Sequence, residues 1–121
     1  MLINNFFSII NIENNDKYII QIELNPTHEI YQGHFPGNPI APGVCLTQMV
    51  KETIEHIRKK KLTMTNGDNL KFTAILNPEV NPLITMTLAL KTKENGLLHV
   101  DSSIRSGDTS FFSFKGSFRE N

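Results

Sequence analysis

One histidine of this chain stands in a stretch of proline and glycine that could hold it for acid/base chemistry. The stretch runs from His34 to Val44 and contains three prolines and two glycines. Proline fixes φ and pushes the preceding residue towards an extended conformation, while glycine permits turns closed to other residues. The pattern therefore predicts a shaped loop. An apolar helical pattern begins directly after Pro42-Gly43, so we expect free helical N–H groups beside the histidine, where they could bind an anion or a carbonyl oxygen.

The pattern H-F-P-G-x-P-I-x-P-G-V, followed by a long helix, resembles the (3R)-hydroxyacyl-[acyl-carrier-protein] dehydratases (FabZ/FabA-like), which have the hotdog fold. The match is dense from Tyr31 to Val50 and stays in register through Lys71, Phe72 and Pro78. The resemblance implies syn elimination of water from a 3-hydroxyacyl thioester to a trans-2-enoyl thioester. The implied setting is fatty-acid biosynthesis or a related lipid or polyene pathway.

The resemblance also implies roles for single residues. His34 would remove the proton α to the thioester carbonyl, and the backbone N–H of Gly43 would stabilise the charge on the thioester oxygen. Gln48 takes the position of the family's catalytic carboxylate. Four further residues would line the substrate site: Phe35, Ile40, Pro42 and Val44.

Gln48 departs from the family pattern, which has Glu or Asp at this place on the first turns of the helix. Glu52 follows four residues later, where the family commonly has glutamine, so the two residue types are exchanged. An amide cannot deliver a proton to the leaving hydroxide at neutral pH, and losing a positioned general acid costs about 10²–10⁴-fold in rate. Three possibilities stay open: His34 makes both proton transfers, Glu52 reaches the substrate, or the protein is a poor catalyst.

Composition limits the classes of protein to which the chain can belong. Its 121 residues predict one domain, 1–121, and the balance of 12 Lys and Arg against 12 Asp and Glu gives no sign of nucleic-acid binding. The single cysteine excludes an internal disulfide framework and fits a reducing compartment. No zinc signature is present, so we expect no metal site. With no signal peptide or membrane-spanning stretch in the sequence, we expect a cytoplasmic protein.

Periodicity predicts an α+β fold of antiparallel strands with one long helix, from Val44 to about Lys61. The resemblance makes this a hotdog fold, in which the antiparallel sheet wraps around one long central helix. Turn signals are predicted at Asn66-Gly67-Asp68, Asn95-Gly96 and Ser106-Gly107-Asp108. The predicted strands are Phe6 to Ile12, Lys17 to Leu24, Leu70 to Leu76, Leu83 to Lys91, Leu97 to Ile104 and Ser110 to Phe118.

The resemblance implies a dimer with an acyl tunnel at its interface, where His34 of one copy faces Gln48 of the other. A homodimer, a higher oligomer and a heterodimer with a paralogue that has the complete motif all stay open. The substrate would be carried on the phosphopantetheine of an acyl carrier protein, and the elimination needs no dissociable cofactor. The basic run Arg58 to Lys61 is interpreted either as a solvated helix end or as a docking surface for the acidic carrier.

Other functions remain as alternatives. Because Gln48 replaces the family's carboxylate, the chain could be a catalytically impaired subunit that binds acyl thioesters and pairs with an active partner. A hotdog thioesterase is a further alternative, although Asp16 lies in a turn signal that fits its acidic residue poorly. A purely structural role would leave the dense loop motif unexplained.

Overall fold

A computed structural model of the chain describes residues 1–33 and 39–121. Six strands and two helices occur within these two ranges. The helices are α1 (Ile30–Gly33) and α2 (Gly43–Arg58), and the strands are β1 (Phe7–Asn14), β2 (Tyr18–Leu24), β3 (Leu62–Phe72), β4 (Leu83–Thr92), β5 (Leu98–Ser106) and β6 (Thr109–Glu120). No helix in this described part is long and apolar enough to cross a membrane.

The six strands form one antiparallel sheet in the order β1-β2-β4-β5-β6-β3. The predicted turns after β4 and β5 are confirmed: Gly96 and Gly107 have φ of 84° and 56°, a region that glycine enters without steric cost. Strand β3 follows helix α2 in the sequence and pairs with β6. It therefore forms the edge of the sheet opposite β1. The predicted α+β class with an antiparallel sheet is therefore confirmed.

Helix α2 buries one side in the same hydrophobic cluster as the sheet. Its apolar residues recur every three or four positions, so they fall on one face of the helix. The buried apolar residues of α2 are Cys45, Leu46, Met49, Val50 and Ile54. Burying a large apolar side chain stabilises a fold by about 1.5–3 kcal/mol, so this stripe fixes the orientation of the helix. A sheet that wraps around one long central helix stays a prediction.

Three predictions were wrong: one turn, the bounds of one strand and the end of the helix. Asn66-Gly67-Asp68 is not a turn but lies inside β3, where the pairing with β6 shifts register twice. Glycine and asparagine in a strand are typical of such bulges. The strand predicted from Leu70 to Leu76 therefore begins at Leu62 and ends at Phe72. The helix ends at Arg58 rather than near Lys61, because the next residue adopts a left-handed conformation that closes the last turn.

Candidate functional site

The N-terminus of helix α2 is the first component of the candidate site. Pro42 is its N-cap, with φ −65° and ψ 145°, and no side chain caps the helix. The carbonyl of Pro42 accepts hydrogen bonds from the N–H groups of Cys45 and Leu46 at 2.9 and 3.1 Å. No residue in 1–33 or 39–121 accepts a hydrogen bond from the N–H of Gly43 or Val44. These groups can therefore stabilise negative charge on a ligand oxygen.

An apolar cavity lies directly beside this helix start. Its volume is about 300 Å³, and it is lined by Ile40, Ala41, Gly43, Leu46, Phe72, Ala74, Ile75 and Leu76. The Ala41 N–H donates to the Leu76 carbonyl at 2.8 Å, which ties the chain before the helix to the chain after β3. Free N–H groups next to an apolar cavity suit a ligand that has a polar carbonyl and an apolar chain.

Phe72, which lines this cavity, fits closely against Gly43. A β-carbon built on Gly43 would lie 2.7 Å from both Cε1 and Cζ of the Phe72 ring. The same ring contacts Phe112, with their centroids 5.0 Å apart, yet 55% of Phe72 is exposed. Glycine at position 43 thus lets an aromatic ring approach the helix start. Sequence reasoning did not assign Phe72 to the site, although its place in register with the motif was a signal.

Gln48 and Glu52 lie one turn apart on α2 and are hydrogen-bonded to each other. Gln48 Nε2 donates to Glu52 Oε2 at 2.9 Å. The Glu52 side chain is only 2% exposed and also accepts from the backbone of the N-terminal segment. The Leu2 N–H donates to Oε1 and Oε2 at 2.9 and 3.0 Å, and the Ile3 N–H donates to Oε1 at 2.9 Å. The carboxylate is surrounded by N–H donors.

These contacts decide the protonation state of Glu52. Burial acts to raise its pKa, but the hydrogen bonds from Leu2, Gln48 and Ile3 outweigh burial and hold the pKa of Glu52 below its ordinary range. The side chain is therefore ionised at neutral pH and has no proton to deliver. The possibility that Glu52 reaches the substrate as an acid does not agree with this geometry.

The structure places the predicted site residues in different surroundings. His34 and Phe35 fall outside the described residues. Ile40 and Gly43 line the cavity, and Pro42 caps the helix that borders it. Val44 is 77% exposed. Gln48 is half-buried and turned towards Glu52.

Comparisons of the sequence with known proteins point to one group of enzymes. A model of the ApeI-like family, described as ApeI dehydratase, matches residues 11–113. The 3-hydroxyacyl-[acyl-carrier-protein] dehydratase FabZ of Caulobacter vibrioides is 28% identical over 88 residues, which cover 71% of this chain and 50% of that protein. The FabZ of a Thermoanaerobacter species is 25% identical over 107 residues, covering 83% and 74%. The chain thus spans about half the length of the Caulobacter relatives that it matches.

Solved structures show the same fold. The dehydratase heterocomplex ApeI:P from Xenorhabdus doucetiae contains a chain that superposes with a TM-score of 0.65 at 24% identity, covering 92% of this chain and 96% of that one. A conserved protein from Pseudomonas aeruginosa superposes with a TM-score of 0.65 at 10% identity, covering 97% and 90%. Together with the antiparallel six-stranded sheet, these likenesses show a hotdog-like fold.

Proposed function

Because the chain belongs to the ApeI-like dehydratase family, we propose that it eliminates water from a 3-hydroxyacyl thioester and forms a trans-2-enoyl thioester. The proposed substrate is carried on the phosphopantetheine of an acyl carrier protein, in fatty-acid or related lipid or polyene biosynthesis. One observation carries the proposal: the N–H groups at the start of α2, which have no acceptor among residues 1–33 and 39–121, border an apolar cavity of about 300 Å³. In this proposal the thioester carbonyl accepts from these N–H groups and the acyl chain occupies the apolar cavity.

The first half of the proposed reaction breaks the C–H bond α to the thioester. In this proposal the neutral imidazole of His34 takes this proton. Negative charge develops on the thioester oxygen at the same time. The backbone N–H of Gly43 donates to that oxygen, and the N-terminal end of the helix dipole adds to the stabilisation.

The second half breaks the bond between the β-carbon and its hydroxyl group. The electron pair of the α-carbon forms the new C=C bond, and the imidazolium of His34 protonates the departing hydroxide to water. One histidine thus makes both transfers on one face of the substrate, which gives a syn elimination. Gln48 binds the hydroxyl group but moves no proton. Atoms and electrons balance without a redox cofactor or a metal, so the proposal includes none.

The exposed edge of the sheet supports a dimer as the working form. Every residue of β3 from 63 to 72 is exposed, and the strand carries the apolar side chains of Met64, Leu70 and Phe72. An unpaired edge strand of this length is a template for another strand. We propose that a second copy or a paralogue covers it, so that His34 of one chain acts together with Gln48 of the other.

The carrier protein is proposed to dock near the basic end of α2. Arg58 Nη2 lies 2.6 Å from Glu120 Oε1, and Lys60 Nζ lies 3.8 Å from Glu120 Oε2. Lys59 and Lys61 are exposed, and residues 1–33 and 39–121 provide no ion pair for either. These two lysines are therefore the cations of the run that can meet an acidic carrier.

The second candidate function is an acyl-thioester binding subunit that depends on an active partner. This function is favoured because Gln48, at the position of the family's carboxylate, cannot deliver a proton. It is also favoured because Glu52 already accepts hydrogen bonds from Leu2, Ile3 and Gln48. The related chain from Xenorhabdus doucetiae is part of a dehydratase heterocomplex. In such a complex the partner's carboxyl group would supply what Gln48 lacks.

Dehydration of a 3-hydroxyacyl carrier protein by the purified chain tests these proposals. The variant His34→Ala is compared with His99→Ala, a control whose imidazole Nδ1 lies 3.2 Å from Ser117 Oγ in the sheet. We expect activity in the wild type and in His99→Ala, and none in His34→Ala. A folded but inactive wild type, which becomes active when a paralogue is added, would replace the first proposal with the second.

A further inference from the structure

Gln48 and Glu52, whose residue types are exchanged relative to the family pattern, are hydrogen-bonded to each other on α2. We infer that Glu52 is a positioning residue: its buried carboxylate fixes the Gln48 amide so that Oε1 accepts the substrate's hydroxyl hydrogen. This inference rests on the proposed dehydration. It assigns Glu52 no contact with the substrate.

The orientation of the Gln48 amide follows from donor and acceptor chemistry. An ionised carboxylate only accepts hydrogen bonds, whereas an amide has a donating Nε2 and an accepting Oε1. The atom of Gln48 that lies 2.9 Å from Glu52 Oε2 must therefore be Nε2. The reverse orientation would place two acceptors in contact. Oε1 accepts no hydrogen bond from the described ranges of the chain, so it is left for a ligand.

The surroundings of Glu52 hold its carboxylate, the anchor of the Gln48 amide, in one position. Its side chain is 2% exposed, and the N–H groups of Leu2 and Ile3 hold both carboxylate oxygens at 2.9–3.0 Å. These donors favour the ionised form and thereby hold the pKa of Glu52 below its ordinary range. A protonated or rotated carboxyl group would lose several hydrogen bonds at once. The anchor therefore allows Gln48 one amide orientation.

The orientation matters for the step that expels hydroxide. If Oε1 accepts the hydrogen of the substrate's hydroxyl group, a lone pair of that oxygen stays free to receive the proton from His34. If the amide were rotated, its N–H would occupy one of the two lone pairs of the hydroxyl oxygen and make that oxygen less basic, which opposes the transfer. An acceptor at position 48 thus suits a mechanism in which one histidine makes both transfers.

The test compares Glu52→Gln with Glu55→Gln. Glu55 lies three residues further on the same helix and accepts from the Leu62 N–H at 2.8 Å, so the control makes the same chemical change at a structural carboxylate. A glutamine at position 52 accepts or donates, so it permits both orientations of Gln48. We expect Glu52→Gln to lower kcat about tenfold or more with little change in KM, because misorientation acts on the transition state. Glu55→Gln should leave kcat unchanged.

A readout independent of activity comes from the side-chain amides. The chain has three glutamines, so the Gln48 amide signals are identified by their loss in Gln48→Leu. Glu52→Gln should shift them and speed their exchange with solvent, whereas Glu55→Gln should not. Because Glu52 acts through Gln48, the double variant Gln48→Leu/Glu52→Gln should be no slower than Gln48→Leu alone. If Glu52→Gln does not fold, Glu52→Asp, with a shorter reach, takes its place.

The outcomes separate the two proposals. Unchanged Gln48 signals in Glu52→Gln, an equal loss of kcat in Glu55→Gln, or additive effects in the double variant would overturn the positioning role. A wild type that dehydrates no 3-hydroxyacyl substrate, alone or with a partner, while the Gln48 signals still respond to Glu52→Gln, would overturn the proposed function. The hydrogen bond between Gln48 and Glu52 would then have no role in catalysis.

Discussion

Replacing Gln48 by glutamate, the residue type that the family has at this position, is expected to create a pair of competing carboxylates. Gln48 Nε2 lies 2.9 Å from Glu52 Oε2, and Glu52 is buried and already ionised. Two unit charges 4 Å apart repel by about 4 kcal/mol at an effective dielectric constant of 20. In Gln48→Glu, ionising both carboxyl groups would therefore lower the stability of the folded protein substantially.

The pair is expected to retain one proton above the usual titration range of glutamate, as closely spaced carboxyl groups do. A folded-state pKa that is raised contributes stability at low pH, and this contribution is lost as pH rises through the raised value. Gln48→Glu should thus be nearly as stable as the wild type near pH 5 and clearly less stable at pH 8. The double exchange Gln48→Glu/Glu52→Gln should remove this pH dependence, because the amide at position 52 donates to the new carboxylate and still accepts from Leu2 and Ile3.

Thermal unfolding from pH 5 to pH 9 measures this effect for the wild type, the single variant and the double variant. At pH 8 the single variant should lose about 2–4 kcal/mol relative to the wild type, because relaxation of the side chains recovers part of the repulsion. Equal stability of the wild type and Gln48→Glu at pH 8 would refute the hydrogen-bonded pair. Dehydration assays on the same proteins show whether a carboxyl group at position 48 raises the rate.

Three further predictions concern single contacts. Gly43→Ala should change stability by less than about 1 kcal/mol, because the gain in helix propensity offsets a shift of the half-exposed Phe72 ring; dehydration should fall about tenfold as the ring enters the cavity, and unfolding and activity assays measure both. Gly116→Ala should cost about 2 kcal/mol or more in denaturant unfolding, since its β-carbon would collide with the backbone oxygen of Asn66. The stability advantage of the wild type over Glu52→Gln should be complete above the ordinary glutamate pKa of about 4.3. It should shrink below that value and be lost as pH falls through the lowered folded-state pKa of Glu52; a constant difference down to pH 2 would contradict this.

Elements with strong periodicity or strong turn residues could be predicted from the sequence. The hairpins at Gly96 and Gly107 follow from residues that tolerate positive φ, and helix α2 follows from its apolar stripe. The bulged strand β3 could not be predicted, because Asn66 and Gly67 are typical of both turns and bulges. Only the pairing with β6, which is distant in sequence, decides between them.

The candidate site was predictable where it depends on the local chain and not where it depends on tertiary contacts. The helix start at Gly43 follows from the proline and glycine before the apolar stripe. The place of Phe72 beside Gly43 depends on where β3 ends, and the anchoring of Glu52 depends on Leu2 and Ile3, which lie 50 and 49 positions earlier. No periodicity in the sequence carries that information. His34 stays a prediction, since it falls outside the described residues.

The pH dependence of kcat/KM for dehydration tests the central claim, that one histidine makes both proton transfers, most directly. A carboxylic acid that delivers a proton would give a bell-shaped profile, with activity lost again at high pH. With Gln48 in place of that acid, kcat/KM should fall only on the acid side, as an imidazole with an ordinary pKa of about 6.5 becomes protonated, and should stay level to about pH 9. A bell-shaped profile in the wild type would contradict the claim and show that a second group supplies the proton.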